Sequence, residues 1–123
     1  MAAKKKILVV DDEPQICAAI AMMLSFDGHA VVTAGSGREA LARFAKGKFD
    51  LVTTDYKMPE MNGVELALAL KAKVPDQPII MITAHADKLK SSVLPLAGVA
   101  QVINKPFQLA ELREAIQTAL ASV

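Results

Sequence analysis

Short apolar runs rich in β-branched residues alternate along the chain with longer amphipathic stretches. Ile7–Val10, Ala30–Ala34, Leu51–Thr54, Ile79–Thr83 and Val99–Ile103 have the length and side-chain type of strands. The near-continuous hydrophobicity of Ile7–Val10 and Ile79–Ile82 suits strands covered on both faces, as in a parallel sheet between helices. The first helix is predicted to open at Pro14, whose fixed φ suits the first helical position, and to stop at Gly28. A second is predicted behind Ser36, with Glu39 at capping-box spacing, ending near Gly47. A third runs from Gly63 to Val74 and is closed by Pro75, and a fifth runs from Leu109 to Ala121 with Leu112, Ile116 and Leu120 at helical spacing. The fourth, Asp87 to Ala97, contains Pro95 and is expected to be short or kinked.

Five alternations of strand and helix, joined by right-handed crossovers, leave few arrangements. The expected fold is an α/β three-layer flavodoxin-like sandwich: a five-stranded parallel sheet of order 2-1-3-4-5 with five helices, whose site lies at the carboxyl ends of the strands. The 123 residues are read as a single domain, residues 1–123. With 53% hydrophobic and 22% charged residues the chain is too apolar and too evenly charged for disorder. A net charge of +1 offers no whole-chain attraction for nucleic acid or membrane, and no basic recognition helix is visible. The single cysteine, Cys17, excludes an intrachain disulfide and is read as a small buried hydrophobe. Lys4–Lys6 followed by Ile7–Val10 briefly imitates a signal peptide, but Asp11 and Asp12 interrupt the apolar run, so a cytoplasmic protein without membrane insertion is expected.

The predicted strand exits carry the chemistry: Asp11 and Asp12 after the first strand, Asp55 after the third, Thr83 at the fourth and Lys105 after the fifth. Three carboxylates on one rim repel and call for a cation. An all-oxygen set favours Mg2+, which leaves positions for phosphate oxygens, while the Lys105 ammonium suits a phosphoryl group or a carboxylate. This is the equipment of phosphoryl transfer, in which a carboxylate can itself be the nucleophile. Taken singly, Asp12 near a helix start, Asp55 at a turn or a solvated Lys105 would each be structural; it is their convergence that carries the reading.

The segments Ile7–Glu13, Asp55–Gly63, Met81–Ala84 and Asn104–Phe107 together resemble the receiver domain of two-component response regulators over essentially the whole chain. The resemblance implies a regulatory phosphoacceptor that catalyses only its own phosphorylation and dephosphorylation. Asp55 would take a phosphoryl group from a sensor histidine kinase or a histidine phosphotransfer protein. It also implies Mg2+ held by Asp11, Asp12, Asp55 and the Lys57 backbone carbonyl, phosphoryl oxygens held by Thr83 and Lys105, and a cis bond before Pro106. Lys57 and His85 stand where the family tunes phosphoryl lifetime. The sequence departs from the family at Val102, where an aromatic is usual, and at Pro95, so signal is expected to leave through the Thr83–Lys90 loop and fourth helix. Output through an attached domain, a downstream protein or a phosphorylation-linked dimer stays open. Other readings are a non-phosphorylated docking module and, more remotely, a haloacid-dehalogenase-type phosphatase, whose Asp-x-Asp motif Asp11-Asp12 does not supply. Gly35–Ala40 imitates a dinucleotide fingerprint, but it follows the second strand rather than the first.

Overall fold

The computed structural model describes residues 4–84 and 98–121. In chain order they form β1 (Lys6–Val10), α1 (Pro14–Phe26), β2 (Ala30–Ala34), α2 (Gly37–Ala45), β3 (Leu51–Thr54), α3 (Gly63–Lys73), β4 (Ile79–Thr83), β5 (Gln101–Asn104) and α4 (Leu109–Ala121). All strand pairs are parallel and the sheet order is β2-β1-β3-β4-β5, as predicted. The described residues hold four helices; the helix expected over Asp87–Ala97, with Pro95, lies outside them.

Successive strand residues face opposite sides of the sheet, which sorts the core into two layers. Ile7, Val9, Leu51, Ile80 and Ile82 meet Ile20 and Leu24 of α1 and Leu112 and Ile116 of α4. Leu8, Val10, Val52 and Ile79 meet Phe44 of α2 and Leu66 and Leu70 of α3. Fully burying side chains of this size stabilises by roughly 1.5–3 kcal/mol each, so the sheet is fixed from both sides. Cys17 is buried in the first layer, its Sγ facing the carbonyls of Val9 and Ala34, and burial pushes its thiol up, away from reactivity.

Local signals set most of the helix ends. Pro14 opens α1, and Gly28, at φ 90°, turns the chain out of it so that His29 N–H reaches the Leu24 carbonyl. The cap of α2 differs from the expected box. Ser36 Oγ accepts from Glu39 N–H at 3.1 Å, but the Glu39 carboxylate accepts from Gly35 N–H at 2.7 Å instead of from Ser36. The reciprocal box occurs at α3, where Asn62 accepts from Glu65 N–H and Glu65 accepts from Asn62 N–H, both at 2.9 Å. α3 ends at Lys73, with Val74 extended ahead of Pro75. β5 spans Gln101–Asn104, later than expected, because Gly98 at φ 76° turns the chain and Val99 packs into the second core layer before pairing begins.

Candidate functional site

Parallel register brings the strand exits together. Val10, Thr54 and Met81 lie across from one another in β1, β3 and β4, and Thr83 pairs with Asn104 of β5. The chain therefore leaves β1 at Asp11, β3 at Asp55 and β5 at Lys105 on one edge. Backbone bonds extend the sheet by one step there: Asp11 N–H to the Ala34 carbonyl, Asp55 N–H to Val10 and Lys105 N–H to Thr83.

Lys105 Nζ donates to Asp11 Oδ2 at 2.7 Å and to Asp55 Oδ2 at 2.9 Å, joining residues 94 and 50 positions away. The second oxygen of each carboxylate is held locally, Asp11 Oδ1 by Glu13 N–H at 2.9 Å and Asp55 Oδ1 by Tyr56 N–H at 2.7 Å. Both carboxylates are buried, and the Lys105 side chain is only 12% exposed. Burial works to lower the Lys105 ammonium, but its bonds to Asp11 and Asp55 and the charge of both carboxylates prevail and hold it above the ordinary lysine value. Lys105 is therefore a fixed cation between two anions. The peptide bond that follows it, Lys105–Pro106, is cis, as the resemblance implies.

Asp12 completes the acidic set. One oxygen from each of Asp11, Asp12 and Asp55 lies within 4.8 Å of the others, with Asp12 half-buried. Three hard oxygen donors so close, facing one ammonium that bonds only two of them, suit a divalent cation of the Mg2+ type. The trio opens into a cleft of ≈ 440 Å³ that includes Asp12, Asp55, Lys57, Met58, Ala84 and Lys105 in its lining. The cleft has room for a phosphoryl group and water.

Not every expected residue reaches this cleft. Thr83 ends β4 fully buried, and Ala84 rather than Thr83 lines the opening. Lys57 is exposed on the cleft wall. Val102 is half-buried on β5 opposite Met81, three residues before Lys105, and stands outside the cleft lining. His85 lies outside the described residues.

Two features of the site were missed by sequence reasoning. A Cβ on Gly63 would collide with the backbone carbonyl oxygen of Asp55, and Gly63 N–H donates to the Tyr56 carbonyl at 2.7 Å. The start of α3 is thus pressed against the exit of β3, which only glycine permits. The Asn62–Glu65 box that fixes this helix start was legible in the spacing Asn-x-x-Glu. Met58, buried in the cleft wall, was visible only as part of a motif.

A family model for the response regulator receiver domain matches residues 7–117. The transcriptional regulatory protein GlrR of Escherichia coli (strain K12) is 35% identical over 114 residues, which are 93% of this chain and 26% of GlrR. Response regulator MprA of Mycolicibacterium vanbaalenii is 39% identical over 108 residues, 87% of this chain and 46% of MprA. The chain spans from about a quarter to just under half the length of these curated relatives. Among solved structures, response regulator protein TrrA from Thermotoga maritima, in complex with Mg(2+)-BeF, has 36% identity and a TM-score of 0.86 over 94% of this chain and 99% of that one. Chemotaxis protein CheY4 of Vibrio cholerae has 33% identity and a TM-score of 0.90 over 96% and 100%.

Proposed function

The chain belongs to the response regulator receiver domain family, and on that premise we propose that residues 1–123 act as one receiver unit whose phosphoacceptor is Asp55. The observation that carries this reading is the Lys105 ammonium bonded at once to Asp11 and Asp55 at the rim of an acidic cleft. The donor is a phosphohistidine of a sensor histidine kinase or histidine phosphotransfer protein. A carboxylate oxygen of Asp55 attacks phosphorus, the nitrogen–phosphorus bond breaks, and the electron pair leaves with the imidazole, which takes up a proton. Hydrolysis of the resulting acyl phosphate by water returns the carboxylate. Beyond this self-directed chemistry no substrate turnover is assigned.

The chain's own residues prepare the step. Tyr56 N–H fixes one Asp55 oxygen and Lys105 the other, so the carboxylate is oriented before the donor arrives. When Asp55 takes the phosphoryl group its charge is relocated outward, and Lys105 follows it while keeping Asp11 as its second partner. Asp11, Asp12, Asp55 and the backbone carbonyl of Lys57 would hold Mg2+, which when bound neutralises charge on the phosphoryl oxygens and the acidic trio. Thr83 would reach the phosphoryl group by a movement at the exit of β4, since its side chain is buried behind the opening. With Val102 on β5 there is no aromatic ring to follow it, so the signal leaves through the segment after Thr83. Lys57, on the cleft wall, and His85 would govern access of water to the acyl phosphate. The recipient is an attached output domain, a downstream protein or a second copy in a phosphorylation-linked dimer, in the cytoplasm. No described helix is long and apolar enough to cross a membrane.

The test is intact mass after incubation with acetyl phosphate. The wild-type chain should gain one phosphoryl group with Mg2+ and none with a chelator, and Asp55→Asn should gain none. A folded wild-type chain that gains nothing with Mg2+ would favour the docking module.

A further inference from the structure

At the opposite edge of the sheet, where the strands begin, the charge is reversed. Seven of the chain's eleven lysines stand there: Lys4 to Lys6 at β1, Lys46 and Lys48 between α2 and β3, and Lys71 and Lys73 at the end of α3, with Asp50 and Asp76 among them. Lysines that close a helix offset its carbonyl end, which accounts for Lys46, Lys71 and Lys73. It does not account for Lys6 or Lys48, which lie outside the helices. Lys6 Nζ lies 4.8 Å from the centre of the Phe49 ring, and Phe49 stacks on Phe44 with centroids 6.1 Å apart. Lys48 and Lys73 have no ion-pair partner among the described residues.

These side chains border a cleft of ≈ 460 Å³ lined by Phe44, Lys48, Phe49, Lys73, Val74 and Gln77 among others, as large as the cleft at Asp55. A second hollow of ≈ 400 Å³ shares Phe49, Val74 and Gln77 and continues past Lys5, Asp50, Asp76 and Pro78 to Leu120. Together they form one elongated groove: at the Phe44 end the floor is apolar and the rim carries Lys48 and Lys73, with no ion-pair partner among the described residues, while the other end is polar, with Lys5 beside Asp50 and Asp76. Val74, 36% exposed, is a large apolar side chain left open to water on this floor.

We infer that this groove docks an extended acidic peptide segment of a partner protein, with a bulky apolar side chain seated against Phe49 and Val74 and carboxylates on Lys48 and Lys73. The length of the groove selects an extended chain, because a compact small acid fills one hollow and leaves the other open. The lysine rim selects an acidic flank at the Phe44 end, and the floor there selects an apolar anchor beside it, while Asp50 and Asp76 leave the other end to a neutral flank. The groove lies at the far end of the strands from Asp55, so docking there is independent of phosphorylation and of the phosphoacceptor assignment.

The probe is a capped hexapeptide of two glutamates, leucine, phenylalanine and two serines, titrated into the 15N-labelled full chain. Saturable amide shifts at Lys48, Phe49, Lys73, Val74 and Gln77 with a Kd below about 1 mM are expected. Binding should weaken at least about tenfold in the folded double variant Lys48→Glu, Lys73→Glu, and similarly in about 0.5 M salt. Peptides with lysines for the glutamates, or serines for the leucine and phenylalanine, should not saturate the groove. No saturable shift there, saturation elsewhere, equal binding by either control peptide, or undiminished binding by the double variant would each overturn the proposal.

Discussion

Lys105 Nζ stands 2.9 Å from Asp55 Oδ2, and the same ammonium lies 2.7 Å from Asp11 Oδ2. One cation thus balances two buried anions, and a third, Asp12, stands within reach of both. Removing the cation strands the carboxylates. Lys105→Met is expected to lower stability by about 2–4 kcal/mol without Mg2+, the cost of leaving buried charge uncompensated, and saturating Mg2+ should restore part of it. Urea unfolding with and without the metal measures both quantities. Acetyl phosphate modification of this variant should slow at least about tenfold, since electrostatic positioning is what the ammonium supplies.

Thr53 lies on β3 two residues before Asp55, and its buried hydroxyl oxygen has no hydrogen-bond partner among the described residues. A buried unsatisfied hydroxyl costs roughly 1–3 kcal/mol. Thr53→Val keeps the shape and removes the orphan, so a rise of about 1 kcal/mol in unfolding free energy is expected. An unchanged or lower urea midpoint at equal slope would contradict it.

Gly63 predicts the reverse sign. Gly63→Ala puts a methyl into the Asp55 carbonyl, and the start of α3 must back away from the exit of β3. Overpacking against backbone costs about 1–3 kcal/mol, and because the displaced segment carries Asp55, the rate of modification should fall along with the thermal midpoint. A variant as stable and as reactive as wild type would show that the two elements are not pressed together.

Much of this was legible in the sequence, and the parts that were not share a cause. β2, β3 and β4 have the predicted bounds because their apolar runs begin and end abruptly. The convergence of Asp11, Asp55 and Lys105 followed from topology alone. The two hydrogen bonds of the Lys105 ammonium, the burial of Thr83 and the contact of Gly63 with Asp55 depend on side-chain conformers and on distances between elements, and no local pattern encodes them. The redirected Glu39 carboxylate is of the same kind: the spacing told that it reaches back, but not to which amide.

Asp27 supplies a dependence on pH. Arg113 donates to both oxygens of Asp27, at 2.8 and 2.6 Å, and this bonding holds the Asp27 carboxyl below its ordinary value of 3.8. A carboxyl depressed in the folded state stabilises above its unfolded pKa, and that contribution is lost as pH falls through the folded one. Asp27→Asn should therefore be less stable than wild type above about pH 5, with the gap closing toward about pH 2. Solvent screening keeps the gap small, because the Arg113 side chain is 47% exposed. Paired urea titrations across this range measure it.

Helix α1 carries no charged residue, and it exposes Met22 and Phe26 at 73% and 81%. An exposed face this apolar marks a contact surface. The helix opens at Pro14, two residues past Asp12, and Met22 and Phe26 lie in its last turns, so a phosphohistidine protein that reaches Asp55 and also lies along α1 is expected to cover them. The double variant Met22→Ser, Phe26→Ser should keep its rate with acetyl phosphate and lose at least about tenfold in rate with a histidine kinase that phosphorylates the wild type. Equal losses with both donors would move the effect from docking to the site.

The central claim is that Asp55 itself carries the phosphoryl group, and borohydride trapping tests it most directly. An aspartyl phosphate is reduced to homoserine, whereas an unmodified carboxylate is not. After acetyl phosphate and Mg2+, peptide mass mapping should find homoserine at position 55 and nowhere else. Homoserine at position 11 or 12, or none in a chain that has gained a phosphoryl group, would contradict the account.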